Sequence, residues 1–288
     1  MPSRIIALPF LVMIAICTFL VMKTDLFGYM NYALPPFFSL SIIYILQPQI
    51  DWYYYKRNPP EMDEQIKRLL IKYSSFYEGL SLENKKRFRD RVCLYSMANE
   101  FIPKGIEEIP SDLKAIVAAS VVQLTFGRED FLMNKFERVI LYLQAFPSPQ
   151  FPDRFHASEV FEEDGVMLFS IEHLSLGFKT PKQYYNVGLH EYAKVFLLSY
   201  PLLDYPNLAA THWEELEKIS GFSKATIEKF IGLETNELLA VSINYFHTFP
   251  QVFKAQLPEL FAQYTDIFNL DPTLEKNPIL TPTPSLPQ

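Results

Sequence analysis

The amino-acid sequence predicts a mainly helical α+β domain with a small β-sheet, preceded by two transmembrane helices. Three observations predict this class. Two long apolar runs lie near the N-terminus, and apolar residues at helical spacing dominate the rest of the chain. Two short apolar runs, at residues 138–143 and 165–170, have the length that is typical of buried strands.

The composition limits the classes of protein to consider. The 288 residues suffice for one large or two small domains, and a hydrophobic content of 49% supports a core together with membrane segments. A net charge of -7 argues against a nucleic-acid partner, which favours a basic surface. The two cysteines, Cys17 and Cys93, form neither a metal-ligand pattern nor a disulfide framework, which indicates a reducing compartment.

Residues 1–58 are predicted to form a transmembrane helical hairpin. The two spans cover about residues 5–22 and 30–47, each near the lower limit of roughly 17–25 residues for crossing a bilayer. The aromatic run at residues 52–55 is typical of a membrane interface. Two alternatives remain open, since the first run could be a cleaved signal peptide and the second a buried core helix.

The distribution of basic residues predicts the orientation of this hairpin. The connector between the two spans carries only Lys23, whereas Arg4 precedes the first span and Lys56 and Arg57 follow the second. Because basic residues favour the cytoplasmic side, both ends are expected to face the cytoplasm. The sequence therefore predicts a two-span inner-membrane protein that contacts the lipid bilayer through its hairpin and holds a soluble domain in the cytoplasm.

The soluble domain is expected to cover residues 59–271. Apolar residues at helical spacing predict helices over residues 61–77, 82–99, 112–126, 213–218, 224–230 and 237–249, and a last helix from Pro258. The 112–126 helix is apolar nearly all round, which predicts a central position in the core. Residues 272–288 contain five prolines and few residues that could pack, so this tail is expected to be disordered.

Residues 190–194 read His-Glu-Tyr-Ala-Lys and differ at one position from the zinc-peptidase motif H-E-x-x-H. In that motif two His side chains on one helix face bind the metal, and the Glu is the general base. Here Lys194 replaces the second His. An ammonium group has no lone pair. To bind a metal it must lose a proton with a reference pKa of about 10.4, which costs roughly 4–5 kcal/mol at neutral pH.

Several ordered stretches resemble the Mlc titration factor A family, the glucose-regulated zinc peptidases of bacteria. The resemblance covers roughly residues 60–272, and the stretches that carry it are FYEGL at 76–80, IVAAS at 116–120, GVMLFS at 165–170, YNVGLHE at 185–191 and ELLAVS at 237–242. It implies a zincin-like, gluzincin-type fold in which two His and a later Glu bind zinc. His190 then matches the first ligand, Glu191 the base and Glu237 the third ligand. The chain departs from this pattern at Lys194 and at Asn244, where relatives usually have Glu.

With Lys194 in place of a ligand, only His190 and Glu237 remain, although catalytic zinc sites have three protein ligands and a water. We expect the Lys194 ammonium to lie between Glu191 and Glu237 as an internal counter-ion, with Glu191 unused as a base. The sequence therefore predicts no cofactor, or zinc if the protein is active after all. A replacement ligand is a further alternative, for which the candidates are His156, His173, His212 and His247.

Three functions remain open at this level. The first is a membrane-anchored, catalytically inactive peptidase-like protein that binds a protein or peptide. The second is an active zinc peptidase with an altered metal site, and the third is a structural role in membrane assembly. Zincin folds pair an edge strand with an extended peptide, which needs no zinc. The candidate strand consists of Gly165, Val166, Met167, Leu168, Phe169 and Ser170.

Overall fold

The structure is a computed structural model that describes residues 1–24, 27–235 and 237–280. The chain divides into two compact units, Met1–Pro60 and Glu61–Gln288. The first unit contains α1 (Pro2–Thr24), a 3-10 helix (Phe27–Ala33), α2 (Leu34–Ile45) and α3 (Gln47–Arg57).

Within the described residues, α1 is the one helix that is long and apolar enough to cross a membrane alone, with a mean hydropathy of 2.8. An N-terminal signal sequence would have the same properties. The second predicted span, residues 30–47, is not a single helix. The chain bends by 64° at the break before α3, so the second span exists only if the bent pair is counted as one. Pro48 explains the break, because proline has no N–H to continue the hydrogen bonding of α2 and is tolerated only in the first turn of a helix, where it stands in α3.

The second unit is mainly helical. Its helices are α4 (Glu64–Tyr73), α5 (Ser75–Gly79), α6 (Leu82–Ala98), α7 (Ser111–Leu124), α8 (Ile171–Lys179), α9 (Val187–Ser199), α10 (His212–Ser220), α11 (Lys224–Ile231), α12 (Leu238–Thr248), α13 (Pro250–Gln256) and α14 (Pro258–Phe268). The predicted helix over 61–77 is two helices. Ser74 ends the first helix, and its side chain caps the second by accepting a hydrogen bond from the Tyr77 N–H.

Helix α7 lies at the centre of the core, as its apolar surface predicts. Ten of its 14 residues are buried, and it packs against α6, α8 and α9. Helix α9 in turn packs against α12. A buried hydrogen bond of 2.7 Å joins the hydroxyls of Tyr95 on α6 and Tyr192 on α9. These contacts fix α9, which carries the motif, between three neighbouring helices.

A small mixed sheet completes this unit. Its strands are β1 (Glu100–Lys104), β2 (Arg138–Tyr142), β3 (Ser158–Phe161) and β4 (Val166–Ser170), in the order β1-β2-β4-β3. The first three strands in that order are parallel, and β3 runs antiparallel to β4. The register pairs Glu100 with Arg138, Arg138 with Val166, and Ser158 with Phe169.

The sheet corrects the prediction that residues 165–170 form an edge strand. Strand β4 lies between β2 and β3, its main chain is paired on both sides, and all five of its residues are buried. No peptide can add to it without displacing a neighbouring strand. The two edges of the sheet are β1 and β3.

The C-terminal segment corrects a second prediction. Residues 272–280 pack against the domain instead of being disordered: Lys276 N–H donates to Gly79 C=O at 2.8 Å, and Asp271 N–H donates to Pro278 C=O at 2.9 Å. Ile279 packs against the hydrophobic core. The rest of the predicted disordered tail, residues 281–288, lies outside the described residues.

Candidate functional site

The candidate site is centred on the first two turns of α9. Asn186 begins this helix, because its side-chain oxygen accepts a hydrogen bond from the Leu189 N–H at 3.1 Å. Asn244 on α12, one of the departures from the family pattern, is buried and donates to the Asn186 C=O at 2.8 Å. This contact holds the start of α9 against α12. His190 and Glu191 follow within the first two turns and are buried.

Lys194 lies between two carboxylates. Its Nζ is 3.0 Å from Glu191 Oε2 and 3.2 Å from Glu237 Oε1. Glu191 is three residues earlier on the same helix, where side chains of α9 can meet. Glu237 comes from the residue before α12. The Lys194 ammonium therefore joins the motif helix to the start of α12.

His190 connects to the same carboxylate. Its Nε2 lies 3.1 Å from Glu237 Oε2, and its Nδ1 lies 2.8 Å from the Tyr185 hydroxyl. An ionised carboxylate only accepts hydrogen bonds, so Nε2 carries a proton in either protonation state of the ring. His190 thus presents an N–H, and not a lone pair, towards Glu237.

The pKa values are consistent with an ionised cluster. Burial opposes the charge of Glu237, but the hydrogen bond from His190 and the Lys194 ammonium outweigh it and lower the pKa of Glu237 to about 2. Burial also opposes the charge of Lys194, yet Glu191 and Glu237 raise its pKa above the usual value. Burial raises the pKa of Tyr185 well above its usual value, which keeps the hydroxyl protonated as a donor.

Two contacts of the site could not be found from the motif. Ser158, the first residue of β3, donates its hydroxyl to Glu191 Oε1 at 2.7 Å. Tyr185 contacts His190 as described above. Ser158 precedes Glu191 by 33 residues, and no spacing rule connects a strand residue with a helix residue at that distance. Tyr185 lies just before the helix, but a Tyr at that place has no distinctive signal.

The side chains present do not fit a catalytic zinc ion. Such an ion needs three ligands with lone pairs at about 2.0–2.2 Å. Here Glu237 and His190 share a hydrogen bond, and the residue that replaces the second His, Lys194, presents an ammonium group to Glu237. Within residues 1–24, 27–235 and 237–280, no group of three or more His, Cys, Asp or Glu side chains could hold a metal ion.

The four other histidines have their contacts outside this cluster. His156 contacts Glu159 and the Arg154 C=O, His173 contacts Ser170, and His212 contacts Ala209. His247 is buried on α12, and neither ring nitrogen has a hydrogen-bond partner among the described residues. None of these contacts brings an imidazole nitrogen to His190 or Glu237 as a replacement ligand.

Strand β3 has an unpaired main-chain edge near the cluster. The Ala157 C=O accepts a hydrogen bond from the Ser170 N–H, and this pair continues the β3–β4 ladder by one residue. The Ala157 C=O that pairs with β4 therefore sets the alternation along the strand. Alternate residues of an antiparallel strand face the same neighbour, so Ser158 and Val160 direct their N–H and C=O groups away from β4. In the described chain neither makes a main-chain hydrogen bond beyond the sheet. Ser158 is buried, whereas Val160 and Phe161 are partly exposed.

Comparison with known families places this geometry in context. The family described as glucose-regulated metallo-peptidase M90 matches residues 50–196, just over half of the chain. The match includes His190, Glu191 and Lys194 and ends before Glu237. A comparison with curated proteins finds no match. The family indicated by the sequence resemblance is confirmed: the chain belongs to the glucose-regulated metallo-peptidase M90 family, the Mlc titration factor A family.

Proposed function

We propose that this M90-family protein is anchored in a membrane by its first unit, does not act as a zinc peptidase, and works by binding a protein or peptide. The observation that carries the proposal is the position of Lys194 Nζ, within 3.0 and 3.2 Å of the two carboxylates. In a zinc peptidase these carboxylates would serve as the base and as a metal ligand.

The electrostatics support a cluster that is complete without a metal. Glu191 is buried, accepts a hydrogen bond from the Ser158 hydroxyl and lies 3.0 Å from the Lys194 ammonium, which is opposite in sign to a carboxylate. A divalent cation placed at Glu237 would lie next to the ammonium and would be repelled by it. Binding zinc would therefore require Lys194 either to lose its proton or to leave the cluster.

The unpaired edge of β3, which is partly exposed at Val160 and Phe161, supports the peptide-binding part of the proposal. An extended peptide that adds to β3 gains main-chain hydrogen bonds at Val160 without using any metal. The Ser158 side chain contacts Glu191, so a strand added here would lie beside the cluster. The hydropathy of α1 supports the anchoring part.

Zinc content tests the inactive site. The full-length chain is purified in detergent, loaded with zinc, desalted and analysed for metal, with Lys194→His and Lys194→His/His190→Ala as matched variants. We expect the wild-type protein to retain far less than stoichiometric zinc. The Lys194→His variant should retain it, and the double variant should lose it again. Stoichiometric zinc in the wild-type protein that disappears in His190→Ala would contradict the proposal and favour an active enzyme.

A peptide library tests the edge. Val160→Pro removes an N–H that faces away from β4, so it should abolish capture of extended peptides from a displayed library while leaving the sheet intact. Val160→Ala is the matched control and should retain those peptides. Equal capture by the two variants would show that β3 is not the binding edge.

A further inference from the structure

The residues of α3 differ in chemistry from the apolar helices before it. Over 11 residues the helix carries Asp51, Lys56 and Arg57 together with the aromatic run at residues 52–55. Tyr53 and Tyr54 are about half exposed, and the Arg57 guanidinium lies 4.0 Å from the centre of the Tyr53 ring. Charged groups exclude this helix from hydrocarbon, while Tyr and Trp rings favour a boundary that is apolar on one side and wet on the other.

The lengths of the preceding elements show where a span would end. The 23 residues of α1 extend about 35 Å. The seven residues of the 3-10 helix and the 12 residues of α2 together extend about 32 Å. The hydrocarbon core of a bilayer is about 30 Å thick. Both arms of the hairpin are therefore long enough without α3, and the 64° bend turns α3 away from the direction of α2.

A specific contact fixes α3 at one end of the hairpin. Asp51 accepts hydrogen bonds from the Ser3 N–H at 2.9 Å and from the Ser3 hydroxyl at 3.0 Å. Ser3 lies in the first turn of α1 and is buried by this contact. The carboxylate thus satisfies a free N–H at the helix N-terminus, where a negative charge is also favourable. The contact places α3 at the level where α1 begins.

We propose that α3 is an interfacial helix that lies in the lipid headgroup region and marks the end of the second span. This inference rests on the proposed membrane anchoring. Trp52 and the three tyrosines after it supply the amphipathic rings that favour this depth, and Lys56 and Arg57 supply charges that pair with lipid phosphates. Asp51 holds the helix there by capping α1.

The depth of Trp52 tests the proposal. The chain has two tryptophans, so Trp213→Phe leaves Trp52 as the only indole. The full-length variant is reconstituted into phosphatidylcholine–phosphatidylglycerol vesicles that carry a nitroxide either at the headgroup or near the end of the acyl chain. We expect the headgroup nitroxide to quench Trp52 fluorescence several-fold more strongly than the acyl-chain nitroxide. Equal or stronger quenching by the deep nitroxide would mean that α3 enters the hydrocarbon, and would overturn the inference.

Flotation of the vesicles separates the two proposals. Protein that floats with the vesicles while aqueous iodide quenches Trp52 and neither nitroxide does would overturn the inference about α3 and leave the anchoring intact. Protein that does not float would overturn both. Asp51→Ala should increase iodide quenching of Trp52, whereas Asp51→Asn, which keeps an acceptor for Ser3, should not. Unchanged quenching in Asp51→Ala would show that Asp51 does not position α3.

Discussion

Replacing Lys194 with methionine keeps the length of the side chain but removes the charge that joins Glu191 to Glu237. The Glu191 side chain is 1% exposed, whereas the Glu237 side chain is 44% exposed. Removing one partner of a buried ion pair costs about 3–5 kcal/mol, and solvent at Glu237 places this case near about 3 kcal/mol. The loss of stability at pH 7 cannot exceed about 4 kcal/mol, because protonating one carboxylate costs about that much and removes the uncompensated charge.

Thermal unfolding of the full-length protein in detergent, followed by circular dichroism, measures this loss. A loss of about 3 kcal/mol corresponds to a decrease in Tm of roughly 6–12 °C for a domain of this size. Lys86→Met is the matched control, because its pair with Asp90 is an exposed i,i+4 contact. Such pairs contribute about 0.3–0.5 kcal/mol.

The pH dependence of stability gives a second test of the Lys194→Met variant. In the wild-type protein the folded pKa of Glu237 is about 2 and its ordinary value is 4.5. The unfolded state therefore binds more protons between these values, and this contribution to stability is present above pH 4.5 and lost as the pH falls towards 2. In Lys194→Met the two facing carboxylates raise each other's pKa, so acid favours the folded state. The difference between the proteins should narrow as the pH falls from 7 to about 4. A Tm equal to that of Lys86→Met, or a difference independent of pH, would refute the counter-ion role.

Three further changes test individual contacts, each by thermal unfolding. Ser158→Ala removes the hydroxyl that donates to Glu191 and should lower the free energy of unfolding by about 1–3 kcal/mol. Ser158→Thr keeps a hydroxyl and should cost less. Equal losses in the two variants would contradict a stabilising role of this hydrogen bond. Burial lowers the pKa of His247 to about 3 from 6.5, so between these pH values the unfolded state binds more protons and the free energy of unfolding falls with acid. His247→Phe should remove this dependence, which is about 1.4 kcal/mol per pH unit. An unchanged dependence on acid would show that another group causes it. Gly165 has a φ of 61°, and a Cβ there would lie 1.9 Å from the Lys135 carbonyl oxygen, so Gly165→Ala should cost well over about 1 kcal/mol. The loss should exceed that of Gly105→Ala, where φ is 80° but no atom lies within 4 Å of the added Cβ. Similar losses in the two variants would mean that only the backbone strain matters.

Local spacing predicts part of the site. Glu191 and Lys194 are three residues apart on one helix, so their contact follows from helix geometry. Glu237 is 47 residues from His190, and no periodicity connects the two residues. Only the family resemblance predicts that Glu237 belongs to the site. The Ser158 contact was missed for the same reason: it depends on how β3 packs against α9, which is a tertiary property.

The positions of strands β3 and β4 in the sheet depend on more than the local sequence pattern. Residues 166–169, Val-Met-Leu-Phe, form a continuous apolar run, which is typical of a strand buried on both faces, and this favours the interior of the sheet over an edge. Strand β3 begins with Ser158 and Glu159, two buried polar residues that mask its strand pattern. The break before α3 had a local signal in Pro48, but its angle depends on packing at α1.

The pairing of the C-terminal segment has a consequence for biosynthesis. Ser81 and Asn277, whose side chains meet at 3.4 Å, are separated by 196 positions, and Lys276 bonds to the main chain of Gly79. These contacts can form only after the intervening residues have been synthesised and have left the ribosome. The N-terminal helices are therefore made well before this loop of the domain closes.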